Sequence, residues 1–462
     1  MLDILGGATQ LCDKINRREW LKIGALGPLS LSLPGLLAQQ SSAEAGSSGS
    51  STFGRAKRCV MLFMAGGPAQ QDTFDMKPDA SSEYRSAFSP IATKVAGIDI
   101  CEHFPHLARH TDKLAFVRSV THTDNNHSTA AHWMSTGYAH RVSQENFVAS
   151  RRDHPHIGSV LSKLTPGSFA LPKYINLPER SHNDNGALTP GQDGGFLGGV
   201  HDPFWVEKHP DDPKFEVPSL RLHDEISPLR LQSRGNLLKE MDVARRQFQW
   251  ARQVESADTF HQQAFDLLGS SKAHKAFDLR SEAADTRERY GNWAFGQSLL
   301  LARRLLEADV KLVTVNWPRH KSPNIFKHWD THANGFKVLK DNLIPYADRP
   351  VATFLDDLDR RGMLEDTLVV WYSEFGRSPK GQHQGHWGPC NTVWFAGAGI
   401  SAGTVHGSSD KHAAYPATNP VSPADLTATI YHLLGINHHQ TIDDPRQRPI
   451  FISDGSPIEA II

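Results

Sequence analysis

Only four cysteines occur in 462 residues, and Cys12, Cys59, Cys101 and Cys390 stand far apart with no C-x-x-C pair. This spacing excludes a zinc-finger or thioredoxin-like motif and a disulfide-dense scaffold. Charge of one sign is also missing. Lys+Arg 49 against Asp+Glu 50 leaves a formal charge of −1, so no global field draws the chain to nucleic acid or an anionic membrane. Long apolar runs are absent once the N-terminal segment is set aside, so no bilayer-spanning helix is expected in the remainder. The length allows one large α/β domain with insertions, or two to three smaller domains. What the chain has in plenty is histidine, 25 residues, the commonest protein metal ligand and a group that titrates near neutral pH.

The N-terminal stretch "NRREWLKIGALGPLSLSLPGLLA" sets Arg17 and Arg18 before Trp20, Leu21 and Lys22 and a mildly apolar run. It reads as a twin-arginine export signal with Trp20 in a position usually held by Phe. Gly24, Gly27, Pro28 and Pro34 break the interior of any core helix there. "QQSSAEAGSSGSSTFG" then buries too little apolar surface to fold. The expected organisation is a signal and the start of a linker over 1–45, a flexible linker over 46–56, and one α/β domain over 57–462 with an insertion at about 166–290. Export would leave Cys59, Cys101 and Cys390, an odd number, so at least one stays free or pairs between chains.

Beyond the linker, short apolar β-rich runs alternate with amphipathic stretches, the pattern of a doubly wound, mostly parallel sheet flanked by helices. Strands are expected at 58–66, 113–120, 311–317, 367–375 and 391–397, and their near-continuous hydrophobicity fits burial on both faces. Phe295, Leu299, Ala302 and Leu306 mark one face of a helix over 292–308. A second helical pattern over 336–362 carries Pro345 as a kink or break. Near the end, Ser422 reads as an N-cap, Pro423 as the first helical residue and Gly435 as the cap at the far end. Residues 166–228 have little periodicity and read as an inserted loop or cap, and 229–290 as charged helices packed outside.

Sites in such sheets form where the chain leaves the carboxyl ends of strands, and each of those loops holds metal-type donors. "GGPAQQDTFD" offers Asp72 and Asp75, either of which also suits a turn cap. In "THTDNNHSTAAHWMSTGYAH" the helical pattern begins at Ser128, so His127, Ser128 and Thr129 stand at a helix N-terminus that favours an anion or attacking oxygen; His132 reads equally as a core histidine. "FKHWDTHANGF" has His328, Asp330 and His332 on one parity of an extended loop, and Asp330 with His332 suits joint coordination of one ion. "YSEFGRSP" places Glu374 as a ligand or base and Arg377 as a bidentate partner for phosphate or sulfate. His383 and His386 precede the last of these strands.

In this order the loops, with "AGGPAQQDTFDMKP", "ICEHFPHLA", "HTDNNHSTAAHWMSTG", "GFLGGVHDPF", "WDTHANGF", "YSEFGRSP" and "VWFAGAGI", resemble domain-of-unknown-function family 1501. These are exported, sulfatase-like proteins that look like a branch of the alkaline phosphatase superfamily. The resemblance implies an alkaline-phosphatase-like fold and hydrolysis of phosphate or sulfate esters with one or two divalent ions. It implies Asp72, Asp330, His332, Glu374 and His386 as metal ligands. Two departures stand out: Gly385 lies where family members commonly carry the Asp of an Asp–His pair, and the sulfatase Cys/Ser-x-Pro-x-Arg motif is absent. The expectation is an exported hydrolase of the periplasm or extracellular space. Zinc, manganese or calcium would serve as cofactor, His127, Ser128 and Arg377 would act in catalysis, and the ester would be a small molecule or polysaccharide-linked. The alternative is a non-catalytic surface binding or scaffold protein on a degenerate hydrolase fold.

Overall fold

The computed structural model describes residues 52–144, 147–165, 171–182, 188–220, 264–319, 328–332, 335–380 and 385–462, with Ser233 and Leu237. The twin-arginine stretch, the linker up to 51, His383 and much of 221–263 lie outside the described residues. The chain divides into Met1–Phe53 and Gly54–Ile462, and all the strands and helices of the sheet belong to the second unit.

In Arg58–Phe63 (β1) all residues from Cys59 onward are buried, and their side chains go alternately to two cores. Val60 and Leu62 enter one; Cys59, Met61 and Phe63 enter the other. Leu114–Val120 (β2) sends Leu114 and Phe116 one way and Ala115 and Val117 the other, and Thr367–Tyr372 (β6) divides Val369 and Trp371 from Leu368, Val370 and Tyr372 in the same manner. A sheet that is apolar on both faces has to be covered on both. Helices Ala294–Glu307 (α3) and Ile344–Arg360 (α4) supply one cover through Leu299, Leu305, Val351 and Leu355. Helices His127–Thr136 (α1), Ile157–Leu164 (α2) and Pro423–Leu433 (α5) supply the other through Met134, Val160 and Ile430. Full burial of each such side chain contributes roughly 1.5–3 kcal/mol, which fixes the layers well beyond what helix propensity alone does.

The remaining strands are Tyr174–Leu177 (β3), Phe204–Trp205 (β4), Leu312–Asn316 (β5), Asn391–Ala396 (β7) and Thr404–His406 (β8). The order across the sheet is β8-β2-β7-β6-β1-β5-β3-β4. All pairs are parallel except those of β7, which runs antiparallel to both β2 and β6. The doubly wound, mostly parallel sheet flanked by helices is therefore what the chain forms. The five expected strands are present, each shorter than its apolar run by one to three residues.

Two readings change. The inserted loop over 166–228 contains β3 and β4, which extend the sheet at one edge; four and two residues are too few to show a period. Pro345 does not break its helix. It stands in the first turn of α4, preceded by a π-helical turn, Leu339–Leu343. The proline inside α4 is Pro350, and the carbonyl of Tyr346, which it leaves without an i+4 donor, accepts from Trp293 Nε1 at 3.0 Å. At α5 the expected caps are present: Ser422 and Asp425 form a capping box, and Gly435 follows with φ +73°.

Cys59, Cys101 and Cys390 are free and buried, and burial pushes their thiols up, so they are unreactive packing residues. Among the described residues no helix is long and apolar enough to cross a membrane.

Candidate metal centre

Five chain segments meet at the carboxyl edge of the sheet. The turn after β1 brings Gly66, the segment after β6 brings Glu374, and α1 begins at His127. The segment beyond β5 carries Asp330 and His332, and a two-stranded ribbon sets His386 directly across from Arg377. Because β7 is antiparallel, the segment preceding it ends at the same edge where the parallel strands finish. That direction is why a histidine before a strand joins donors that follow strands.

The loop carrying Asp330 is anchored by Trp329. Its ring is buried edge-on between Trp317 and Trp371, with centroids 5.3 and 5.9 Å away, and its backbone N–H donates to Ala65 O at 2.8 Å. Gly66 makes this approach possible. Its φ is +111°, and a Cβ there would lie 2.2 Å from the Asp330 backbone nitrogen. Gly66 N–H also donates to Glu374 Oε1 at 2.7 Å. Arg377 is held by Gln70, whose amide accepts from Arg377 N at 2.9 Å and donates to Arg377 O at 3.0 Å, as a strand partner would.

His127, Asp330 and His386 offer three donor atoms within 4.8 Å of one another. His127 bridges the two carboxylates, with Nδ1 2.6 Å from Glu374 Oε1 and Nε2 3.4 Å from Asp330 Oδ2. Asp330 Oδ1 lies 2.8 Å from His332 Nε2, 3.4 Å from His386 Nε2 and 2.7 Å from Arg377 Nη2. The facing Nε2 atoms of His332 and His386 are 3.2 Å apart. Burial alone would raise the Asp330 carboxyl, but hydrogen bonds from His127 and His386 and the charges of His127 and Arg377 hold it far below the usual carboxylate range. Burial would likewise lower His127, yet Asp330 and Glu374 push it up to about 10. A field that retains a proton so firmly between two carboxylates also suits a divalent cation, which would replace that proton. Glu374 Oε2 gives a second sign of fit, being buried with no hydrogen-bond partner among the described residues. Mixed imidazole and carboxylate donors suit zinc or manganese.

The expected site residues are not all gathered here. Asp330, His332, Glu374, His386 and Arg377 are. Asp72 is fully buried in a single 3-10 turn, Gln70–Asp72, close enough to Cys101 to raise its thiol, and is not in the three-residue group. Ser128 is buried as the second residue of α1. His328 lines a cavity beside His127 and Glu374.

Two residues of the loop before α1 form a framework around the donors. His122 Nε2 donates to Glu374 O at 2.7 Å, while its Nδ1 accepts from Asp124 N at 3.2 Å. Asn125 O accepts from His386 Nδ1 at 2.8 Å, and Asn125 Oδ1 accepts from Gly388 N at 2.6 Å. His127 itself, expected as a catalytic residue at a helix N-terminus, sits among the donors. The available signal is the density of "HTDNNH" itself.

The family described as Protein of unknown function (DUF1501) matches residues 56–462. No curated protein matches the chain. Solved structures with a similar course include a lipoteichoic acid synthase from Listeria monocytogenes, at 12% identity over 90% of this chain and 78% of that one, TM-score 0.39. A sulfatase from Pseudoalteromonas sp. matches at 13% identity over 91% and 72%, TM-score 0.40. A phosphonate monoester hydrolase from Silicibacter pomeroyi matches at 13% identity over 87% and 75%, TM-score 0.40.

Proposed function

Since the chain belongs to the DUF1501 family, we propose that it is an exported, metal-dependent hydrolase of phosphate or sulfate esters on an alkaline-phosphatase-like fold. The observation that carries this reading is the meeting of His127, Asp330 and His386, with Glu374 Oε2 buried and unpartnered beside them. His127, Asp330, His332, Glu374 and His386 hold the ion. When bound, a divalent ion polarises an ester oxygen and lowers the pKa of a coordinated hydroxyl or water.

The chain's own groups do the rest. Arg377, wholly buried, has Nε and Nη1 without hydrogen-bond partners among the described residues and orients the tetrahedral anion through its planar fork. Ser128, at the start of α1, or a water in its place supplies the attacking oxygen, where the helix dipole favours negative charge. Asp72, buried in the turn after β1, would take a second ion. The twin-arginine segment addresses the folded protein to the periplasm or beyond.

The test is elemental analysis of the purified protein alongside assays with aryl phosphate, phosphodiester and aryl sulfate. Asp330→Ala and His332→Ala should each lose the metal and the hydrolysis together while the circular dichroism spectrum stays that of the parent. Full activity in metal-free Asp330→Ala protein would reject the mechanism. Gly385 stands where the family resemblance places an Asp, and that missing donor favours a second reading, a binding or scaffold protein that keeps a structural ion. Bound metal with every ester inert would point that way.

A further inference from the structure

His386 and Arg377 face each other in the two-stranded ribbon, yet its two strands are held by different parts of the molecule. Ser378 N–H donates to Gly385 O at 2.9 Å, so the hydrogen bond of the ribbon falls one step beyond the Arg377–His386 pair. In an antiparallel pair of this kind the facing side chains lie closest together, and the N–H and C=O of each residue turn away from the partner strand. The closeness brings Arg377 Nη2 and His386 Nε2 to one oxygen, Asp330 Oδ1, at 2.7 and 3.4 Å. The outward backbone groups of Arg377, which is wholly buried, need partners elsewhere.

The Gln70 side chain supplies both. Beyond its two bonds to the Arg377 backbone, its Nε2 donates to Ala413 O at 2.8 Å, so both amide hydrogens are used. The fit is close, since a Cβ on Gly376 would lie 2.2 Å from Gln70 Oε1. Gln70 is itself buried and firmly placed. Its carbonyl accepts from Asp75 N at 2.9 Å and Phe74 N at 3.2 Å. The Phe74 ring packs against Phe104, Phe116 and Trp371, with centroids 4.9, 5.8 and 5.7 Å away. The histidine strand of the ribbon is tied instead to the loop before α1, where Asn125 accepts from His386 Nδ1 and Gly388 N. The strand that carries the metal donor and the strand that carries the arginine thus have separate supports.

We infer that Gln70 is a positioning residue for the anion: it fixes the backbone of Arg377 so that the guanidinium meets the phosphate or sulfate group, and it does so without governing the metal. A long side chain delivers its hydrogen bonds accurately only when its own backbone is held. The inference rests on the hydrolase reading for the role of Arg377 but not for its test, which is a binding measurement.

Inorganic phosphate and inorganic sulfate are titrated calorimetrically into the zinc-loaded protein, and zinc affinity is measured by competition with a chelator. Arg377→Ala should weaken the anions by roughly 10- to 100-fold, the loss of charge-assisted hydrogen bonds. Gln70→Met, similar in length but without polar groups, should weaken them by roughly 3- to 10-fold and leave zinc affinity within about threefold of the parent. Gln70→Asn, which keeps the amide on a stem shorter by one carbon, is a milder variant that should fall between the parent and Gln70→Met. In the Arg377→Ala background, Gln70→Met should change anion binding by less than about twofold, because its effect runs through the arginine; general damage to the fold would persist there. Unchanged anion affinity in Gln70→Met, a parallel fall in anion and zinc affinity, or an equal loss with and without Arg377 would overturn the inference while leaving the role of Arg377 intact. Unchanged anion affinity in Arg377→Ala would reject that role and the inference with it.

Discussion

Gly66 shows how much of the centre depends on one atom being absent. It occupies a left-handed conformation, its N–H holds Glu374, and its missing Cβ leaves room for the backbone of Asp330. Gly97 also has a positive φ, +82°, but among the described residues nothing lies within 4 Å of the position its Cβ would take. Gly97→Ala should therefore cost only the conformational penalty, about 1–2 kcal/mol. Gly66→Ala adds a backbone collision to that penalty and should cost at least about 2 kcal/mol more. It should also lose bound metal, because both Asp330 and Glu374 are displaced. Urea unfolding of the two variants beside the parent, with metal content, checks this; equal costs would mean that the loop carrying Asp330 moves aside freely. At this scale the sequence is partly readable. Asp330 and His332 stand two apart, so a local rule of parity finds them. His127 is joined to Glu374 across 247 residues, and no local rule spans that distance. The aromatic residue beside Asp330 reads as packing, and Trp329 does pack the loop.

At the scale of elements, the loop between β2 and α1 holds the centre together. It continues directly into His127, reaches the strand-end backbone of Glu374 through His122, and fixes both His386 and its ribbon through Asn125. Three donor-bearing segments that are distant in sequence thus take their positions from one short stretch. Burial pushes the His122 imidazole down, in keeping with a neutral ring that donates from one nitrogen and accepts at the other. Outer hydrogen bonds of this kind commonly govern metal affinity by roughly 10- to 100-fold. His122→Ala should weaken zinc binding by about that range, measured by competition with a chelator, and His122→Gln should restore part of it. The unfolding midpoint of the metal-free protein separates positioning from general damage. An unchanged zinc affinity in His122→Ala would remove the loop from this role. Long apolar strands are readable as elements because their burial on both faces is written in every residue. The short β3 and β4 are not, since their place in the sheet comes from pairing with β5 and with each other rather than from a pattern of their own.

For the whole molecule, the histidine surplus has a consequence apart from the centre. His154, His156 and His201 are set away from the donors, and burial is the main cause of their lowered values, about 4, 3 and 4. His156 is the clearest case. Its ring stacks on Tyr174 at 4.8 Å, and its Nδ1 accepts from Gly158 N at 2.9 Å to cap α2, an arrangement that requires a neutral ring. In the unfolded chain these groups return to about 6.5. As pH falls below that value the unfolded state takes up protons while the folded state does not, so stability declines with falling pH through the window from about 6.5 to about 4. His127 acts in the other direction and elsewhere. Raised to about 10 in the metal-free protein, its contribution is fully present below about 6.5 and fades only as pH rises toward 10, so it leaves the acid window unaltered. Urea unfolding of metal-free protein between about pH 7 and pH 5 should therefore show a net proton uptake on unfolding to which these three contribute roughly two to three protons, with His122 and His132, also lowered by burial, adding to it. His156→Asn keeps an acceptor for the helix cap and removes the titration. It should lower the uptake by about one proton, and a pH profile identical to that of the parent would show that His156 is already protonated in the folded state.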